Sequence, residues 1–168
     1  TYGLGEMIND AIHEGVTNIV LSIGGSATND AGMGMAVALG FRFYNEAGQM
    51  LDGRGQNLDK VVHIEVDDEV KDALTKISFT TICDVTNPLY GSQGAAHVFA
   101  AQKGATPEDI LLLDKGLVHF AEVMDAKSMA EKEGAGAAGG VGFGSMLFLQ
   151  SKLCKGIQLV MEMTKFDD

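Results

Sequence analysis

Apolar residues at Leu4, Met7, Ile8, Ala11 and Ile12, with Gly15 as the stop, predict an amphipathic helix over Gly3 to His13. His13 sits in its last turn, where an imidazole serves as a solvated partner of the helix dipole. A short loop leads to a β-branched run of strand length, 18–23, which halts at Gly24-Gly25. Small hydrogen-bonding residues follow, then an Ala/Gly/Met stretch that reads as a helix ending near Leu39-Gly40. Phe41 to Tyr44 predicts a short strand, Asn45 to Gly48 a turn, and Met50-Leu51 the return of a hairpin at the side or edge of the sheet. Lys60 to Val66 alternates as a strand does, Asp67 to Leu74 forms a short helix or turn, and Ile77 to Cys83 is a second buried strand. Gly94 to Lys103 reads as helical. Thr106, Pro107, Glu108 and Asp109 then open a strong helix whose buried stripe is Ile110, Leu113, Leu117, Phe120 and Met124. Lys127 to Glu133 is charged and exposed, Phe143 to Leu153 an apolar helix, and Ile157 to Met163 a last short strand or helical turn. The sum is one α/β domain over 1–168, a mostly parallel sheet flanked by helices with a β-hairpin.

Composition sharpens that picture. Twenty-two glycines in 168 residues, near twice ordinary usage, favour an α/β protein with many tight turns over a helical bundle. A net charge of −11 leaves no basic stripe to neutralise phosphates, which excludes nucleic acid and anionic membrane surfaces as partners. Cys83 and Cys154 sit in apolar surroundings without metal-ligand spacing and read as free thiols of a reducing compartment. No signal peptide and no apolar run of spanning length appears, so a cytoplasmic location is the expectation. Neither an internal repeat nor a Ser-His-Asp arrangement is present.

Candidate chemistry gathers at three places. Strand, glycine turn and helix start, in that order over Ile19 to Met35, converge backbone N–H groups and a positive helix end on an anion. Gly24 and Gly25 would let a phosphate or carboxylate approach, and Ser26, Thr28, Asn29 and Asp30 either cap the helix or face a ligand. Gly32 and Gly34 each cost roughly 1 kcal/mol against Ala inside a helix, so something must lie close to that face. Asp84 follows the second buried strand by one residue, beside an Asn87-Pro88 turn, and suits metal or proton chemistry or an Asx-turn closing its own loop. Lys103 stands just before a Gly stop, where a lysine commonly serves the helix dipole. Gly134-x-Gly136-x-x-Gly139 has the spacing of a dinucleotide loop, yet Glu131-Lys-Glu133 precedes it where a strand belongs. A glycine-rich helix start that packs on another element or cradles phosphate fits better. Arg54, between two glycines, either reaches a substrate carboxylate or γ-phosphate or belongs to a plain surface loop.

Taken together, Tyr2-Gly-x-Gly-Glu6, Gly24-Gly-Ser-Ala-Thr-Asn-Asp30-x-Gly-x-Gly34, Cys83-Asp-Val-Thr-Asn-Pro-Leu89, Gly94-Ala-Ala-x-Val-Phe99 with Gln102-Lys-Gly-Ala105, and Gly134 to Gly140 closely resemble the bacterial type I glycerate kinase family. The resemblance covers essentially the whole chain, and its weight comes from five signatures agreeing in order. It implies one domain of a two-domain α/β kinase, with 1–168 an internal fragment lacking the family's Ser-Phe-Lys-Gly strand and its Gly-Glu-Gly stretch. A local departure is Ala100-Ala101, where members usually carry a proline. It also implies ATP- and Mg²⁺-dependent phosphorylation of glycerate to 2-phosphoglycerate, with 3-phosphoglycerate the other product, and leaves a homodimer open. On that footing Asp84, Lys103 and Asp30 are the expected catalytic groups, and Asp84 the expected Mg²⁺ ligand or general base. Gly24, Gly25, Ser26, Thr28, Asn29, Asn87, Gly136 and Gly139 are the expected substrate- or phosphate-binding positions. The competing classes are a non-catalytic glycerate- or anion-binding module and a kinase for another hydroxy acid.

Overall fold

The computed structural model describes residues 1–166. Its elements run α1 (Tyr2–His13), β1 (Asn18–Ser22), α2 (Met33–Ala38), β2 (Arg42–Tyr44), β3 (Met50–Leu51), β4 (His63–Glu65), α3 (Asp68–Thr75), β5 (Ser78–Ile82), α4 (Ala95–Phe99), α5 (Pro107–Val123), α6 (Lys127–Ala130), α7 (Ala137–Leu149), β6 (Lys152–Cys154) and α8 (Gly156–Thr164). Single 3₁₀ turns occupy Gly55–Lys60 and Ala101–Lys103. β1, β5 and β6 form a parallel sheet in that order, with Ile19 opposite Phe79 and Ile82 opposite Cys154. A separate antiparallel sheet has the order β3-β2-β4. The hairpin therefore stands apart from the parallel sheet, and the strand within 60–66 joins it there.

α7 is the centre of the core. Eleven of its residues are buried, because its sequence is apolar all round. Phe143 and Phe148 lie against Phe120 of α5, at ring separations of 6.4 Å each, and Phe148 meets Phe41 at 5.1 Å. α5 starts as its sequence dictates: Asp109 N donates to Thr106 Oγ1 and Thr106 N donates back to the Asp109 carboxylate, a reciprocal cap.

Two expectations need correction. The apolar helix predicted to run through Leu153 ends at Leu149, because Gln150 takes a left-handed conformation (φ 52°) and turns the chain into β6. Ser151 then meets Thr81 of β5 in a buried hydroxyl pair at 2.8 Å, which sets the strand beside β5. The stretch 127–133 is not uniformly exposed either: Ala130 is buried, and its carbonyl accepts from Leu89 N. The segment 157–163 resolves as the helix α8, and both cysteines are free and half-buried. Among the described residues no helix is long and apolar enough to cross a membrane.

Candidate functional site

β1 and β5 run parallel, so their carboxyl ends lie at one edge of the sheet, where open α/β sheets hold their ligands. Gly24-Gly25-Ser26 leaves the first strand and Asp84 the second, and both line one hollow of ≈ 290 Å³ together with Lys103. Gly25 has φ 70°, which a glycine adopts freely. A side chain at Gly24 or Gly25 would meet no atom within 4 Å, so neither glycine is required by packing. The N–H groups of Gly25 and Ser26 find no backbone acceptor among the described residues. Unpartnered donors at a strand end are chemically suited to an anion.

Lys103 does not serve a helix end. From its 3₁₀ turn the ammonium donates to Ser26 Oγ at 2.8 Å and to the Thr28 carbonyl at 2.7 Å, stitching itself to the loop after β1. Burial pushes this ammonium below the ordinary lysine value of 10.5, while the charge of Asp30 pulls it partly back. Asp84 is exposed, and its Oδ1 accepts from Gly156 N at 3.0 Å, at the first turn of α8. Its Oδ2 has no hydrogen bond among the described residues.

Other expected site residues stand elsewhere. Asp30 is 3% exposed. Its Oδ2 accepts from Thr1 N and Thr1 Oγ1 at 3.0 and 2.7 Å and its Oδ1 from Gly32 N at 3.0 Å, so the carboxylate ties the start of α1 to the start of α2. It does not line the hollow that Asp84 and Lys103 share. Asn87 closes its own loop, donating from Nδ2 to Gln93 O at 2.8 Å and accepting Gly136 N at its carbonyl. Gly136 and Gly139 are buried under backbone: a Cβ would sit 2.2 Å from Pro88 O at the first and 1.9 Å from Thr28 O at the second. Of the two meanings left open for the second glycine stretch, the geometry is that of close packing.

A second hollow of ≈ 410 Å³ lies across the loop, lined among others by Thr28, Asn29, Arg54, Gln56, Lys103 and Leu113. Arg54 Nε stands 3.2 Å from Asp52 Oδ2 in an exposed pair. On either side of it the chain is clamped: Gly53 presses on Gly34 and Gly55 on the Asn29 carbonyl, with Cβ distances of 2.3 and 2.1 Å. Both Oδ1 and Nδ2 of Asn29 are shielded from solvent without a partner among the described residues. An orphaned buried polar atom costs about 1–3 kcal/mol. Its orphaning was invisible in the sequence, and the only local hint of the second hollow was Gly53-Arg54-Gly55.

The chain is 44% identical to a glycerate kinase of Halalkalibacterium halodurans, with all of the chain matched to 45% of that protein. It is 42% identical to glycerate 2-kinase of Escherichia coli, over 94% of the chain and 42% of the relative. A crystal structure assigned to glycerate kinase 2 of Salmonella typhimurium LT2 superposes with a TM-score of 0.89 at 39% identity, covering 96% of the chain and 44% of that protein. The chain thus spans a little under half the length of the relatives it matches. The profile described as "Glycerate kinase family" matches residues 1–168 from end to end, and the chain belongs to that family.

Proposed function

We propose that these 168 residues carry part of the active site of an ATP-dependent kinase that phosphorylates glycerate, with 2-phosphoglycerate as product. The observation that supports this is the common hollow of the Gly24-Gly25 bend, Asp84 and Lys103. Phosphoryl transfer asks a protein for positioning and charge neutralisation more than for covalent chemistry. Free N–H groups at Gly25 and Ser26 are suited to phosphoryl oxygens, and Lys103 neutralises charge that develops there. The substrate hydroxyl oxygen forms the new bond to phosphorus as the bond to the departing diphosphate breaks, and the hydroxyl proton leaves to a base.

Asp84 Oδ2 fits either that base or a ligand of Mg²⁺. Among the described residues no three His, Cys, Asp or Glu side chains gather as a metal cluster. A single carboxylate is a sufficient protein contribution for Mg²⁺, which takes its remaining oxygens from phosphates and water. Bound there, the ion would neutralise charge on the phosphates. The test is coupled ADP release with D-glycerate, using the protein at full length. Asp84→Asn should lower kcat by about 10²-fold or more with the fold intact, and near-normal turnover removes Asp84 from the chemistry. A second reading, an anion-binding unit that does not turn over alone, is favoured for residues 1–168 by their coverage of under half of each relative. The same assay on 1–168 separates the two.

A further inference from the structure

Among the described residues the parallel sheet is covered on one side only. Leu21, Phe79 and Thr81 face the core, and the crossover from β5 to β6 packs there, with Gly134 against Cys83 and Leu153 of the same face. The residues that alternate with them, Val20 and Ser22 of β1 and Thr80 and Ile82 of β5, belong to the other face. Val20 is 51% exposed there, Ser22 is exposed, and Thr80 and Ile82 are half-buried. The strand residues of this face carry a single charge among the described residues, Lys152, in a chain of net charge −11. All-parallel sheets are covered by helices on both faces, because the crossovers between their strands lie on one or the other.

α8 lacks a partner in the same place. It begins at the end of this face, where Gly156 stands against Ile82, and among the described residues none of its nine is buried. Ile157, Val160 and Met163 recur every third residue along one side of it, all exposed, Met163 at 74%. A nine-residue helix is not stable in water by propensity alone and takes its stability from packing an apolar side. From this we propose that the bare sheet face and the exposed side of α8 form one docking surface, and that its occupant is the part of the polypeptide outside residues 1–168. That part makes up more than half of each relative compared above, and a parallel sheet takes its cover from its own chain. Gly156 N, in the first turn of α8, donates to Asp84 Oδ1 at 3.0 Å, so seating α8 also holds the carboxylate that lines the first hollow. This link to activity rests on the kinase function proposed above; the docking surface does not.

Peroxide oxidation of the full-length protein, read methionine by methionine by mass spectrometry, tests this. Met163 should oxidise about tenfold or more slowly in the native protein than in urea, equally at low and at high protein concentration. A native rate within about threefold of the unfolded one overturns the proposal. So does protection that grows with protein concentration, which would give the surface to a second copy. Val160→Glu should release Met163 to the unfolded rate and lower kcat about tenfold, with the KM for D-glycerate within about twofold. An unchanged kcat in a variant whose Met163 is released overturns the link to Asp84. Should Val160→Glu fail to fold, the wild-type measurement still decides the surface. Should the wild type fail to turn over glycerate, the kinase proposal falls, and the oxidation rates, which need no turnover, decide the surface as before.

Discussion

Two stretches of this chain are rich in glycine and use it in opposite ways. In the loop after β1, a side chain at Gly24 or Gly25 would enter open space. Across 134–144 the glycines are pressed on backbone: Gly136 on Pro88 O, Gly139 on Thr28 O, Gly142 on Gly134 O and Gly144 on Ala31 O, each with a Cβ distance of 2.4 Å or less. The second stretch is a contact surface that lets α7 approach the loop at backbone distance. The first is the loop so supported. Ala31 N donates to Gly139 O at 3.1 Å, and Thr28 O both accepts from Lys103 and packs under Gly139. Packing in one place therefore holds open the other, and glycine content by itself names neither role.

The largest effect expected of this contrast is on stability at Gly139. Its φ of 68° and the Thr28 carbonyl beneath it leave no room for a methyl group. Gly139→Ala should cost about 3 kcal/mol or more, read from urea unfolding. A loss under about 1 kcal/mol would mean that α7 is not tightly seated on the loop. The opposite signature is expected at Gly24, whose φ is unexceptional and whose surroundings are empty. Gly24→Ala should change stability by no more than about 0.5 kcal/mol and lower kcat/KM about tenfold. Unchanged kinetics would show that nothing approaches the bend closely.

How much of this was legible beforehand follows the same division. The strands around Ile19 and Phe79, the hairpin and the Thr106 cap were readable because each is set by local periodicity or by a cap three residues long. That Gly24 and Asp84 share a hollow was also readable, since parallel strands bring their carboxyl ends together. β6 was not, because three residues carry no period and Gln150 gives no warning of a left-handed turn. The uses of Asp30 and Asn87 escaped for another reason. A short polar side chain in a glycine loop looks alike whether it faces a ligand or ties down backbone, and only its partners, Thr1 and Gln93, decide. For Lys103 the sequence left the helix dipole and the phosphoryl group both open, and only its partners, Ser26 and Thr28, give its direction. The helix-end rule describes where a lysine begins, and here the side chain reaches back 75 residues to Thr28.

That reach supplies the smallest and most specific expectation. Burial lowers the pKa of Lys103 from 10.5, with Asp30 opposing. Between that lowered value and 10.5 the unfolded chain holds more protons on this group than the folded one, so its contribution to stability improves as pH rises through the window. Ligand binding has the opposite slope. An anion beside the ammonium favours the charged form, so binding takes up a proton and must weaken as pH climbs through the free protein's value. The KM for D-glycerate, or its calorimetric affinity, should therefore begin to deteriorate at a pH below the ordinary lysine value of 10.5. Lys103→Arg, charged throughout this range, should flatten that profile while Gly139 and the packed stretch behind it keep the stability of the parent. A profile that keeps its slope in Lys103→Arg would assign the titration to another group and detach Lys103 from the anion.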